Sequence, residues 1–166
     1  MSWHFRVLVV ANVTADSPAL IRALTARTAQ DPCSFTLIVP APVAGSAGRE
    51  AATARLETAL ANLRAAGVQA DGVVGDHDVI AAVHEAWDPR RYDEIVVCTL
   101  PTGTSKWLQV DLPHRIQKLT DARVRHVVAE PPRPKPEPRH HPHQEPTRLA
   151  LLTPLSAVTG KRPPRA

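Results

Sequence analysis

Apolar and polar positions alternate in blocks along the first 130 residues, and the blocks switch between two periods. The run FRVLVVA at residues 5–11 is short, continuous and β-branched, as a strand buried on both faces requires. Asp16-Ser17-Pro18 follows, a helix cap with proline at the first helical position. Leu20, Ile21 and Leu24 then share one face, which predicts a helix to about Ala29, stopped by Asp31-Pro32. FTLIV at residues 35–39 reads as a second strand, and the small residues at 41–48 as a loop. Residues 49–66 are rich in Ala, Leu, Arg and Glu, with Leu56, Leu60 and Leu63 at helical spacing and Gly67 as the stop.

The second half repeats the alternation. Residues 68–74 predict a weaker third strand, interrupted by Gly72. The turn Gly75-Asp76-His77-Asp78 leads into a helix over 79–87 with Ile80, Val83 and Trp87 inward, closed by Asp88-Pro89. EIVVCTL at residues 94–100 is a fourth strand. Residues 101–111 form a loop with room for one helical turn. Leu112, Ile116 and Leu119 mark another helix, and VRHVVA at residues 124–129 a fifth strand. Strands separated by helices predict a parallel sheet wrapped on both faces, a three-layer α/β/α sandwich. With the order 3-2-1-4-5, the winding reverses between the first and fourth strands. Ligands bind at such a reversal, past the strands' carboxyl ends, so the loops 11–17 and 100–106 are the place for a site.

Proline and charge set off the rest. Residues 130–166 hold 10 of the 17 prolines, with 7 basic against 3 acidic residues. Residues 1–129 carry 13 of each sign, so the whole net charge of +4 belongs to the tail. Proline fixes φ and removes a donor, which excludes helix and central strand there. The expected organisation is a domain over 1–130 and a proline-rich, basic, disordered tail over 131–166. His140, His141 and His143 are imidazoles with nothing to fix a ligand geometry, so a solvated tail is the plainer reading. The tail's cations are not interleaved with aromatics, which argues against specific nucleic-acid binding. The apolar island RLALLTPLSAV at 148–158 is a segment that would dock on the domain or on a second subunit. A tail of this composition also suits recruitment of a protein partner.

Composition excludes further classes. No run nears the roughly 18 apolar residues of a membrane span, and residues 1–10 lack the zones of a secretory signal. Cys33 and Cys98 match no disulfide scaffold or metal motif, so a reducing cytoplasm is the expected compartment. The residues after the first strand, ANVTAD, carry no dinucleotide fingerprint. No P-loop lysine follows Gly45-Ser46-Ala47-Gly48, and there is no Gly-x-Ser-x-Gly elbow. An enzyme of the wider nucleotide-binding α/β group would lack an evident nucleophile or base, so a non-catalytic protein is expected.

Four segments together resemble the universal stress protein family over residues 4–130. They are VLVVANVTADSPA, the alanine-rich second helix ending at Gly67, the turn Gly75-Asp76-His77-Asp78 into Ile80 and Ala81, and Tyr92-Asp93-Glu94-Ile95-Val96-Val97. The resemblance implies a Rossmann-like nucleotide-binding fold, an adenine nucleotide such as ATP or AMP as ligand, a homodimer, and a role in stress. It places the ligand against Ala11 and Asn12, the end of the second strand at Val39, and the loop Thr102, Gly103, Thr104, Ser105 and Lys106. ATP-binding members carry Gly-x2-Gly-x9-Gly-Ser or Gly-Thr after the fourth strand; this chain has Gly103 alone there, and Asn12 where the family tends to place Asp. Two readings stay open: a binding protein without nucleotide, and one that keeps the nucleotide through Asn12, Val39 and the Gly103 loop. Thr102 to Lys106 would hold an anion by amides, hydroxyls and one cation, or would simply be a polar turn. Asp111 beside His114 reads better as a helix cap than as an acid/base pair. Asp76 and Asp78 likewise read as caps, and Cys98 as a packed thiol. Trp107 suits either a pocket wall or a subunit contact.

Overall fold

The computed structural model describes residues 3–101, 103 and 105–130. Five strands form one parallel sheet: β1 (Phe5–Val10), β2 (Cys33–Pro40), β3 (Ala70–Gly75), β4 (Glu94–Thr99) and β5 (Arg123–Val128). Their spatial order is β3-β2-β1-β4-β5, as the sequence pattern predicts. Between them run α1 (Pro18–Gln30), α2 (Ser46–Ala65), α3 (Val79–Ala86), the single turn α4 (Lys106–Gln109) and α5 (Leu112–Thr120). The proline-rich tail and its histidines lie outside the described residues.

β1 shows how the sheet is held. Val7 and Val9 point to one face, where Leu20 and Leu24 of α1 and Ala52, Leu56, Ala59 and Leu63 of α2 cover them. Leu8 and Val10 point to the other, against Ala82 and Val83 of α3 and Leu112 and Ile116 of α5. Successive strand residues alternate faces, so a strand buried on both must be apolar throughout. β1 runs parallel to β4, with Val7 opposite Glu94 and Val10 opposite Val97. The two strands therefore end side by side.

The differences from the pattern are local. α2 begins at Ser46, three residues before the predicted start, inside the stretch that reads as a loop. Gly45, at φ +93°, starts the turn, and Gly48 lies so close to the Val43 carbonyl that a Cβ there would collide with it. Small residues here serve close packing rather than a loop. Gly72, which interrupts the third strand in sequence, lets Leu56 of α2 settle on β3, since a Cβ would strike the Leu56 side chain. Leu119 is 42% exposed, because α5 buries only Leu112 and Ile116. No helix among the described residues is long and apolar enough to cross a membrane.

Candidate functional site

The chain leaves β1 through two tight turns. Ala15 N donates to Asn12 O at 3.0 Å, and Ser17 N to Thr14 O at 3.0 Å. Ser17 then caps α1, its Oγ accepting from Leu20 N at 3.2 Å, with Pro18 next. These turns aim Thr14 across the sheet: its Oγ1 donates to the Cys98 carbonyl at 2.9 Å. One buried hydroxyl thus ties the loop after β1 to the end of β4.

A cleft of about 260 Å³ opens above that tie. The β1 turn lines it with Asn12, Val13 and Thr14, and the end of β4 with Cys98, Thr99 and Leu100. Ser105, Lys106 and Trp107 close the third side. Ser105 is buried, and its backbone N donates to Pro101 O at 3.1 Å, which turns the loop back over the sheet. Lys106 is exposed and makes no ion pair among the described residues. Asn12 accepts a hydrogen bond on Oδ1 from Nη1 of Arg55, on α2, at 2.5 Å.

Two groups here have shifted pKa values: Cys98, which lines the cleft, and His126 of β5, beside Thr99. Burial pushes the Cys98 thiol up from its ordinary pKa, against the opposing hydrogen bonds from Thr14 and Ser17. A buried thiol of this kind is packing material, not a thiolate nucleophile. Thr99 Oγ1 lies 2.7 Å from Nε2 of His126 on β5 and donates to Leu100 O at 3.0 Å. Partial burial lowers the His126 pKa, which favours the neutral ring.

The fold brings Asn12, Ser105 and Lys106 together on one cleft. Ala11 and Val39 are fully buried and do not line it. Ala11 N donates to Ile38 O at 3.2 Å, and Val39 pairs with Val74 inside the core under α1 and α2. Gly103 is exposed at φ +92°, a conformation that favours glycine, and is not among the lining residues. Thr102 and Thr104 lie outside the described residues. Asp78 caps α3, accepting from Ile80 N at 2.9 Å, while Asp76 accepts from Asp78 N at 2.8 Å. Asp111 holds the cap position of α5 in the left-handed region (φ 52°) without a side-chain cap bond, and His114 is exposed. Trp107 forms a wall of the cleft. Sequence reasoning missed Thr14, Thr99 and Arg55. Hydroxyls in ANVTAD and CTLP signalled the first two, but nothing in the repeat of α2 marks Arg55 as facing β1.

No protein-family model matches the chain, and no curated protein matches it in sequence. Solved structures do match its fold. A universal stress protein from Archaeoglobus fulgidus superposes with TM-score 0.53 at 14% identity, over 76% of this chain and 95% of that one. A universal stress protein from the same organism in complex with dAMP gives TM-score 0.52 at 14% identity, over 76% and 99%. A universal stress protein in complex with cAMP gives TM-score 0.50 at 20% identity, over 77% and 99%. The chain has the universal stress protein fold.

Proposed function

We propose that this chain is a non-catalytic, universal-stress-like binding protein of the cytoplasm whose cleft takes an adenine nucleotide. The observation that carries this is the position of the cleft, at the switch point between β1 and β4, with an amide at Asn12 and a cation at Lys106 in its lining. Two proteins of the same fold hold dAMP and cAMP. Lys106 supplies charge for a phosphate, and the Trp107 indole supplies an aromatic wall for a base. Binding itself, read out by a partner, is the activity. The homodimer reading is supported by β5, an end strand that pairs with β4 alone among the described strands and leaves Val128 49% exposed.

Thermal unfolding with AMP, cyclic AMP and ATP tests the reading. A nucleotide at 100 times its Kd stabilises the native state by about 2.7 kcal/mol. A melting temperature that no adenine nucleotide moves at millimolar concentration would falsify it. Sedimentation of the full chain at several concentrations tests the dimer, and a monomer throughout removes that part.

A further inference from the structure

Arg55 is a residue of α2 that reaches the end of β1, where its Nη1 donates to Asn12 Oδ1 at 2.5 Å. A guanidinium has donors only, so the oxygen of the Asn12 amide must be the atom that faces it. The amide nitrogen, with its two protons, is then what Asn12 has left to give. No hydrogen bond among the described residues engages that nitrogen, and Asn12 lines the cleft.

The rest of the lining points the same way. Among the described residues no carboxylate lines the cleft, and no three His, Cys, Asp or Glu converge. Magnesium is usually held by one or two carboxylates together with substrate phosphates, and the described walls supply none. The hydroxyls of Thr14 and Thr99 already bond to Cys98 O and Leu100 O. Beside the Ser105 and Trp107 side chains, the cleft offers two nitrogen donors, the Asn12 amide and Lys106. A phosphate monoester carries about −1.5 to −2 charges at neutral pH. The Lys106 ammonium and the Arg55 guanidinium behind Asn12 balance that charge, and a triphosphate exceeds it. At about 260 Å³ the cleft also falls just under the ~300–1,000 Å³ usual for small-molecule pockets.

We infer that Arg55 is a positioning residue that holds Asn12 as a hydrogen-bond donor, so that the cleft selects a nucleoside monophosphate without a divalent cation. The inference rests on the nucleotide reading of the cleft and says how that cleft chooses among nucleotides. Arg55 acts through Asn12, so its effect must vanish when Asn12 does.

Calorimetric titration of the full chain with AMP and with ATP, each in magnesium and in EDTA, tests it. AMP is expected to bind equally in both buffers and more tightly than ATP. Arg55→Ala is expected to weaken AMP about tenfold, the size of one charge-assisted hydrogen bond, and Arg55→Lys to retain most of the affinity. In an Asn12→Ala background the Arg55→Ala change is expected to cost less than about twofold, the non-additivity of a coupled pair. Wild-type affinity in Arg55→Ala, equal losses in both backgrounds, or a requirement for magnesium overturns the inference. Nitrogen NMR of the Asn12 side-chain amide, with inorganic phosphate as the probe, separates the two readings. A phosphate response present in the wild type and lost in Arg55→Ala supports the positioning role even where no nucleotide binds, and then only the nucleotide reading fails. An amide that behaves alike in both proteins overturns it.

Discussion

β1 and β4 lie side by side along their length, yet their two ends are built on opposite principles. At the amino ends the charges are answered within the protein, and Arg27 and Glu94 are enclosed as well. Arg27 of α1 is buried, with Nε 3.1 Å from Glu94 Oε1 and Nη1 2.7 Å from Asp31 Oδ2, and its guanidinium stands 4.6 Å over the Phe5 ring. Asp93 grips the start of β1, its Oδ2 accepting from Arg6 N and its N donating to Arg6 O, both at 2.8 Å. At the carboxyl ends Thr14 provides one buried tie, and Asn12 and Lys106 face a cleft. An enclosed charge demands a partner within the protein; a polar group at a cleft is available to a ligand. The amino end therefore carries stability, and the carboxyl end offers the polar groups that the proposed binding would use.

Variants at each end sharpen or break that division. The largest effect is expected at Arg27. Arg27→Met leaves Glu94 buried without its partner and should cost about 3–5 kcal/mol, read by urea unfolding. Arg27→Met with Glu94→Leu should recover most of it, since apolar replacement of a whole buried pair is often neutral. Unchanged stability in the single variant would mean that the pair is solvated. Thr14→Val comes next. Removing its hydroxyl from the Cys98 carbonyl should cost about 1–3 kcal/mol, and it is the one change expected to lower both stability and nucleotide affinity. Lys106→Ala should leave the unfolding midpoint in place and weaken AMP by about fivefold, near 1 kcal/mol. A loss of stability there instead would erase the contrast between the ends.

The smallest effect is a pH slope. The His126 pKa is lowered by burial, so the unfolded chain binds more protons than the native one below the ordinary value near 6.5. Stability from this group is complete above that pH and is lost as pH falls toward the lowered native value. His126→Gln should flatten that part of the profile relative to the wild type, and a slope identical in both proteins would contradict the assignment.

Much of this was legible from residue order. The runs at 5–11 and 94–100 are apolar at successive positions over 7–11 and 95–98, as a strand covered on both faces requires, and they are the neighbours at the sheet's centre. Asn12 and Lys106 follow from that, because they stand in the loops that leave those strands. Val39 was drawn toward the site by its place at a strand end; the pleat turned it into the core instead. The Arg27–Glu94 pair was invisible, since 67 residues separate partners that look like ordinary surface charges. Arg55 was hidden for the same reason, 43 residues from the amide it bonds.

The amino-acid order alone determined the element types and their sequence, because period and capping act over a few residues, and the handedness of crossovers left few strand orders to choose among. Only the folded chain decided which polar groups meet. Hydrogen bonds form over about 3 Å, and where a side chain points at that scale depends on strand register and helix rotation, which the packing of the whole core sets.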